Sequence, residues 1–323
     1  MRAAVVSSAG EAPAYGVHAD PEPLPGTTLV RVSAAPVVPL DLLCASGTSY
    51  FGRPAVPYVP GVQGVGVVER SATLPAGTRI WFATNAGMAP GDGSLAEHCR
   101  VPDDDVVPVT ADVPDAALAA LGLSGVAAWM GLTWRGRLQP GETVLVLGGG
   151  GAVGQAAVGA ARLLDARRVV AVSRSAAGQH RARVAGADAV VPDSGDADDL
   201  AARITDATGG PVDVVVDPVF GVAATAASRV LAAGGRLVNL GGASGDTAEF
   251  SSAVLRSRSA ELLGYTNNAL TPAQRAAAVT AVAGHAAAGR MAVAHEVLPL
   301  AEAATAWERQ AAGDAGVRLV LTP

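Results

Sequence analysis

Between residues 143 and 240 the chain alternates short, near-continuous runs of Val and Leu with helix-forming stretches, and that alternation restricts the fold more than anything else in the sequence. The apolar runs at 143–147, 169–172, 189–191, 212–216 and 236–240 predict strands, and the stretches at 153–164, 200–207 and 223–233 predict helices. Strands that are apolar on both faces belong in a parallel sheet covered by helices on both sides. The sequence therefore predicts an α/β, doubly wound domain here. The first third has another texture. Strands are predicted at 28–32, 64–70 and 78–83, set apart by turns rich in proline (Pro21, Pro23, Pro25, Pro54, Pro57 and Pro60). A helix follows at 115–132. After the parallel region come a helix at 272–288, an extended run at 293–299, a helix at 301–312 and a strand at 317–321.

Composition removes several classes of function. A chain of 323 residues that is 50% hydrophobic and 16% charged has ample material for a core and little disposition to disorder. Its net charge of -6 offers no excess of cations for nucleic acid. All 23 basic residues are Arg, so neither a Schiff-base lysine nor a lysine general base is available. The two cysteines, Cys44 and Cys99, are too few for a disulfide framework or a four-cysteine zinc lobe, and a reducing, cytoplasmic setting is expected. The opening residues turn polar at once and carry no apolar signal core. Stretches 116–134 and 143–161 reach membrane-spanning length, but Ala, Gly, Ser and Thr dilute both. A buried helix and a strand–turn–helix are expected there, with no membrane partner.

The second of these stretches carries the main chemical signal. The strand at 143–147 runs into Gly148-Gly149-Gly150-Gly151-Ala152-Val153-Gly154 and then into a helix. Read as G-x-G-x-x-G, the glycines are Gly149, Gly151 and Gly154. In that pattern the first makes a tight turn, the second lets a pyrophosphate approach the backbone and the third packs helix against strand. The helix start, including Ala152 and Val153, then offers N–H groups and a positive dipole end to phosphate. A glycine-rich loop without a ligand is the plainer alternative. Where an NAD site would place an acid at the end of the next strand, this chain has Ser173-Arg174-Ser175. Arg174 can hold a 2′-phosphate with a bidentate fork, which predicts NADPH over NADH by at least ~10-fold. A solvated surface charge is the other reading of Arg174; Arg181 is a further cation close by in sequence.

Taken together, the order of segments resembles the medium-chain dehydrogenase/reductase superfamily, and within it the zinc-independent quinone oxidoreductase (zeta-crystallin-like) branch. The resemblance runs the whole chain, through Pro36-Val37-Val38-Pro39-Leu40-Asp41, Pro57-Tyr58-Val59-Pro60-Gly61-Val62-Gln63-Gly64, Gly93-Ser94-Leu95-Ala96-Glu97, Leu138-Gln139-Pro140-Gly141-Glu142, Ala185-Gly186-Ala187-Asp188, 213–217, Gly234-Gly235-Arg236, Pro299-Leu300-Ala301-Glu302-Ala303 and 316–321. It implies a β-rich GroES-like catalytic domain over 1–120, a Rossmann NADPH-binding domain over 121–264, and a return to the catalytic domain over 265–323. Zinc-dependent members would carry Cys at Val38 and His-Glu at Val62-Gln63, so the resemblance implies no metal. Cys44 and His98-Cys99 remain as donors, but neighbours on a strand point to opposite faces and do not chelate together. The branch usually shows Asn near Val38, Thr near Ala127 and a Lys after the second strand, and this chain has none of them.

With no metal, lysine or nucleophile–histidine pair, the remaining chemistry is positioning: a hydride is delivered to an electrophilic carbon, water is kept out and a developing oxyanion is stabilised. Tyr50, which matches a pocket tyrosine of the branch, can hydrogen-bond the substrate oxygen or merely pack its loop. Gln63 can orient the pocket or only tie down its own turn. Phe51, Trp81, Phe82 and Trp129 can form apolar walls or simply core. By the resemblance, Leu240 and Gly241 would meet the nicotinamide, and Asn267 would reach its carboxamide. The implied function is reduction of a quinone or α,β-unsaturated carbonyl, a small-molecule substrate, by a homodimer. Two alternatives stay open: a reductase of a dedicated intermediate such as an enoyl thioester or imine, and a nucleotide-binding protein with little turnover.

Overall fold

A computed structural model describes residues 1–313 and 315–323. By its contacts the chain forms two compact units. One comprises Met1–Gly122, Val279–Ala287 and Ala294–Pro323; the other comprises Leu123–Ala278 and Ala288–Val293. Where the sequence reading divided the chain after 120 and 264, the contacts divide it after 122 and 278 and give 288–293 to the second unit.

The first unit is built on β1 (Arg2–Val5), β2 (Ala14–Val17), β3 (Thr27–Pro36), α1 (Pro39–Ser46), β4 (Gln63–Arg70), β5 (Arg79–Ala83), β6 (His98–Pro102), β7 (Val106–Pro108) and the start of α2 (Asp115–Met130). Beyond the second unit it is completed by β14 (His295–Pro299), α9 (Ala303–Ala312) and β15 (Arg318–Thr322). Its main sheet runs β14-β15-β3-β4-β5-β7, with β6 paired to β3. The inward faces of β3, β4 and β5 and the C-terminal segment share one core, which includes Val30, Val32, Val68, Ile80, Phe82, Trp307 and Leu319. Arg79 anchors α2: its Nε donates to the Asp115 carboxylate at 2.7 Å and Nη1 to the Ala111 carbonyl at 2.8 Å.

The second unit contains β8 (Thr143–Val146), α3 (Ala152–Leu163), β9 (Arg168–Ser173), α4 (Ala176–Val184), β10 (Ala189–Pro192), α5 (Ala197–Thr208), β11 (Val212–Asp217), α6 (Gly221–Arg229), β12 (Leu231–Asn239), α7 (Ser252–Arg258) and β13 (Glu261–Gly264). The helix α8 (Pro272–Ala287) starts in this unit and ends in the first. All six strands are parallel, in the order β10-β9-β8-β11-β12-β13. The chain works outward from β8 to β10, then crosses to β11 on the other side of β8. That reversal is a topological switch point, where open α/β sheets bind ligands outside the carboxyl ends of their strands.

Three of the departures from the sequence expectation have a local cause. The predicted helix 115–132 is broken at Gly122 (φ 26°, ψ -128°) and passes into a π turn at Gly131–Arg135. The side-chain oxygen of Gln63 occupies the place a Cβ at Gly122 would need, so only glycine fits. Asp115–Arg135 is long and apolar enough to cross a membrane by length and composition, yet 72% of an 18-residue window within it is buried in the protein. The predicted helix 223–233 ends at Arg229, because Leu231 pairs with Val212 and the Val230 carbonyl accepts from the Val212 amide at 2.9 Å. Finally, α4 has no apolar period to announce it; Ser175 caps it by accepting from the Gly178 amide at 3.1 Å.

Candidate functional site

Four carboxylates and one guanidinium act on the frame of the second unit. Glu142 and Arg236 form a bidentate pair with both N···O distances 2.8 Å, while Arg236 Nε donates to the Gly136 carbonyl at 2.8 Å. Asp213 accepts from the first amide of β8 (Thr143, 2.8 Å), and Asp188 accepts from Val169 at the start of β9 (2.7 Å). These residues lie in the sequence motifs quoted above, and their work is to fix where β8 and β9 begin. The fourth carboxylate, Asp217, works at the opposite end of the sheet.

At that end of β8 the glycines pack very unequally. A Cβ at Gly149 would meet Ala171 Cβ at 2.6 Å, and one at Gly150 would meet the Gly178 carbonyl oxygen at 2.6 Å. One at Gly154 would strike the Gly148 carbonyl and lie 2.6 Å from Gly149 Cα. Gly151 is different: the nearest atom to its Cβ position is the Gly148 oxygen at 3.4 Å, an ordinary contact. The protein's own packing therefore does not require glycine at 151. Gly151 is also the N-cap of α3 and has no side chain with which to cap the helix. The first-turn amides, those of Ala152 and Val153 among them, have no partner within the helix, and the dipole's positive end lies there. A site that is closed at 149, 150 and 154 and open at 151 suits a phosphate laid on the helix start.

Neighbouring turns complete this end. Asp217, buried at the end of β11, accepts from the amides of Val219 (3.0 Å) and Phe220 (2.7 Å). Burial raises its pKa, while those two bonds and the Asn239 side chain act the other way. The Pro218–Gly221 turn so formed sits against the glycine turn, with Val219 Cγ1 2.7 Å from the Gly148 Cβ position. The sequence reading missed this turn; a strand ending in Asp-Pro at the switch point was its signal. Gly241 follows β12 and approaches the Pro218 carbonyl closely, with a Cβ position 3.2 Å from that oxygen. Leu240 packs on Gly131, with 3.4 Å to its Cβ position.

The residues proposed for dinucleotide choice lie at the end of β9. Ser173 is buried, and Arg174 is exposed, with no hydrogen bond or ion pair to its guanidinium among the described residues. Arg181 reaches back from α4, donating from Nε to the Gly150 carbonyl at 2.9 Å, and burial lowers its pKa. Asn267 stands in a short turn after β13. Its amide donates to the Leu123 carbonyl at 3.2 Å and its oxygen accepts from the Tyr265 hydroxyl at 2.7 Å, so both ends already have partners within the unit.

In the first unit the candidates separate by burial. Tyr50 is 80% exposed and lies on Phe51, with ring centroids 4.2 Å apart. Gln63 is fully buried, and its oxygen accepts from Trp81 Nε1 at 3.2 Å. Trp81 and Phe82 are core residues, whereas Phe51 and Trp129 are half-buried. Val38 and Val62 are both buried apolar side chains. His98 faces Glu69 at 3.4 Å, while Cys99 turns inward beside the Asp92 carbonyl. Burial pushes the Cys44 thiol up to about 11 and that of Cys99 up to about 12.

Two family models match the chain. Residues 24–111 match the alcohol dehydrogenase GroES-like domain and residues 152–284 the zinc-binding dehydrogenase domain. An alcohol dehydrogenase of Geobacillus stearothermophilus is 31% identical over 67% of this chain and 70% of its own length. A phenolphthiocerol/phthiocerol polyketide synthase of Mycobacterium tuberculosis is 34% identical over 66% of this chain, but the match spans only 9% of that protein. Among solved structures, a mycobacterial quinone oxidoreductase superposes with a TM-score of 0.89 and 26% identity over 100% of both chains. A mycobacterial protein complexed with NADPH superposes with a TM-score of 0.87 and 26% identity over 100% of both chains.

Proposed function

The chain belongs to the medium-chain dehydrogenase/reductase superfamily, in its quinone oxidoreductase-like branch, and on that premise we propose that it is a zinc-independent, NADPH-dependent reductase of quinones or α,β-unsaturated carbonyls. The observation that carries this reading is the glycine turn, which is open at Gly151 alone while an unpartnered Arg174 stands where an acid would exclude a 2′-phosphate. The bound nucleotide would supply the hydride; everything else falls to the chain. Gly151, Ala152 and Val153 bind the pyrophosphate by backbone, and Gly149 and Gly154 hold that backbone in shape. Ser173 and Arg174 read the adenosine end. Leu240, Gly241 and Asn267 border the nicotinamide end, Asn267 with the hydrogen-bonding capacity left after its two internal bonds.

On the substrate side, Tyr50 is the hydroxyl we assign to the substrate oxygen, since its phenol is exposed and its ring is steadied by Phe51. Gln63 acts by position, because its side chain is buried against Trp81 and Gly122. Val38 and Val62 offer no donor to a metal at the two positions where zinc-dependent members carry thiolate and imidazole. Two buried, unlinked thiols suit a reducing cytoplasm. The edge strand β13, with Leu262 40% exposed, suits pairing with a second copy into a homodimer, which a single monomeric species in sedimentation would refute.

The match to a polyketide synthase favours a second reading: the same hydride transfer to a dedicated intermediate such as an enoyl thioester. Both are tested by following nucleotide oxidation with NADPH and NADH, with and without a chelator, against quinones, enones and enoyl thioesters. NADPH oxidation by quinones or enones, indifferent to the chelator, is expected. Turnover confined to thioesters would select the second reading, binding without turnover would leave a nucleotide-binding protein, and chelator-sensitive alcohol oxidation would overturn the zinc-independent assignment.

A further inference from the structure

The first unit also holds a buried carboxylate that the chemistry above does not use. Asp41 is the third residue of α1 and is 1% exposed. Its Oδ2 accepts from the Val38 amide at 2.8 Å, as an acid in the first turn of a helix commonly does. Helix capping needs nothing more, yet Oδ1 accepts from the Val62 amide at 2.9 Å, across 21 residues of chain, and the Gly61 amide adds to it. Both bonds are buried. On β15, Arg318 is buried too; its Nη1 donates to the Val37 carbonyl at 3.0 Å, and its charge and that of Asp41 stabilise each other. One carboxylate and one guanidinium thus fix two separate loops, 37–38 and 61–62.

We propose that Asp41 is a positioning residue for the reduction: its carboxylate locks the Val38 loop to the loop that leads into Gln63, with Arg318 as counter-charge. This rests on the reading above, in which Gln63 acts by position and Val38 and Val62 stand where zinc-dependent members carry their metal ligands. An ionised carboxylate serves here because both oxygens must accept at once; a protonated one turns one oxygen into a donor facing a backbone N–H. Burial pushes the carboxyl up to about 6, against the amides and Arg318 that favour the charge. Among the described residues, the other titratable groups facing it are Cys44 on α1 and Tyr58 in the loop before Pro60, both buried and both neutral at that pH.

Asp41→Asn in the full chain tests this, since it keeps the shape and puts an N–H₂ against one backbone N–H. The acceptor kcat/KM should fall about 10- to 100-fold, while NADPH affinity changes by less than about twofold. The acid limb of log(kcat/KM) near pH 6 should disappear. Amide hydrogen exchange at Val38 or Val62 should quicken at least about tenfold, with β8 and α3 unchanged. Unchanged kinetics and exchange would overturn the proposal, and so would a parallel loss of nucleotide affinity and of protection throughout, which marks a general structural role. If the wild type turns over nothing, the functional reading fails, and the exchange at 38 and 62 alone decides the clamp. Should Asp41→Asn not fold, Arg318→Gln, which removes the counter-charge, should move the acid limb to higher pH; an unmoved limb would overturn the proposal.

Discussion

The glycines of the turn look interchangeable in the sequence, but they pack unequally, and this yields two opposite expectations. Gly151→Ala should leave the thermal midpoint almost unchanged, a cost within about 0.5 kcal/mol, while weakening NADPH binding at least about tenfold. Gly154→Ala should cost about 1–3 kcal/mol of stability, because its Cβ falls on the Gly148 carbonyl. Thermal melts and nucleotide titrations of both variants check the pair; similar losses in each would mean the turn has been misread. Asp41 supplies a pH dependence of definite sign. Its pKa of about 6 in the folded state lies above the unfolded value of ~3.9, so the native state holds the proton between them. Stability from this group is fully present below about pH 4 and lost as pH rises through 6, by about 3 kcal/mol at most. Urea unfolding across pH 4–7 should show that decline in the wild type and not in Asp41→Asn. Asp41 does not stand out in its motif, since a lone Asp two residues after a proline gives no sign of burial or of reaching a second loop. For the same reason the sequence could not separate exposed Tyr50 from buried Gln63.

At the scale of elements, apolar pattern marked the strands of the parallel sheet well, because their burial on both faces leaves little other use for runs such as Val-Asp-Val-Val-Val. It failed where something outside the segment decides. The break in α2 at Gly122 is set by Gln63, distant in sequence, and the end of α6 is set by strand pairing that draws Leu231 into β12. The polar helix α4 is capped by Ser175, which no apolar period announces. Gly122→Ala tests the first of these. It places a side chain on the Gln63 amide in a backbone conformation that L-residues avoid, so a loss of about 2 kcal/mol or more is expected in thermal or urea unfolding. A variant as stable as the wild type would show that Gln63 does not hold that kink.

For the molecule as a whole, the series of short motifs in a fixed order carried the two-unit architecture, and the structure explains several of them: Glu142 with Arg236, Asp188 and Asp213 set the strand starts that aim β8 at its turn. What the series does not carry is the placement of the boundary near 278, since α8 has the same alanine-rich texture on either side of it. The proposed NADPH site combines the opening at Gly151 with the unpartnered guanidinium of Arg174. Calorimetric titration of the wild type and of Arg174→Ala with NADPH and with NADH tests it directly. The wild type should bind NADPH at least about tenfold more tightly than NADH, and Arg174→Ala should lose most of that preference with little change toward NADH. Equal affinities in the wild type, or a preference that survives the substitution, would contradict it.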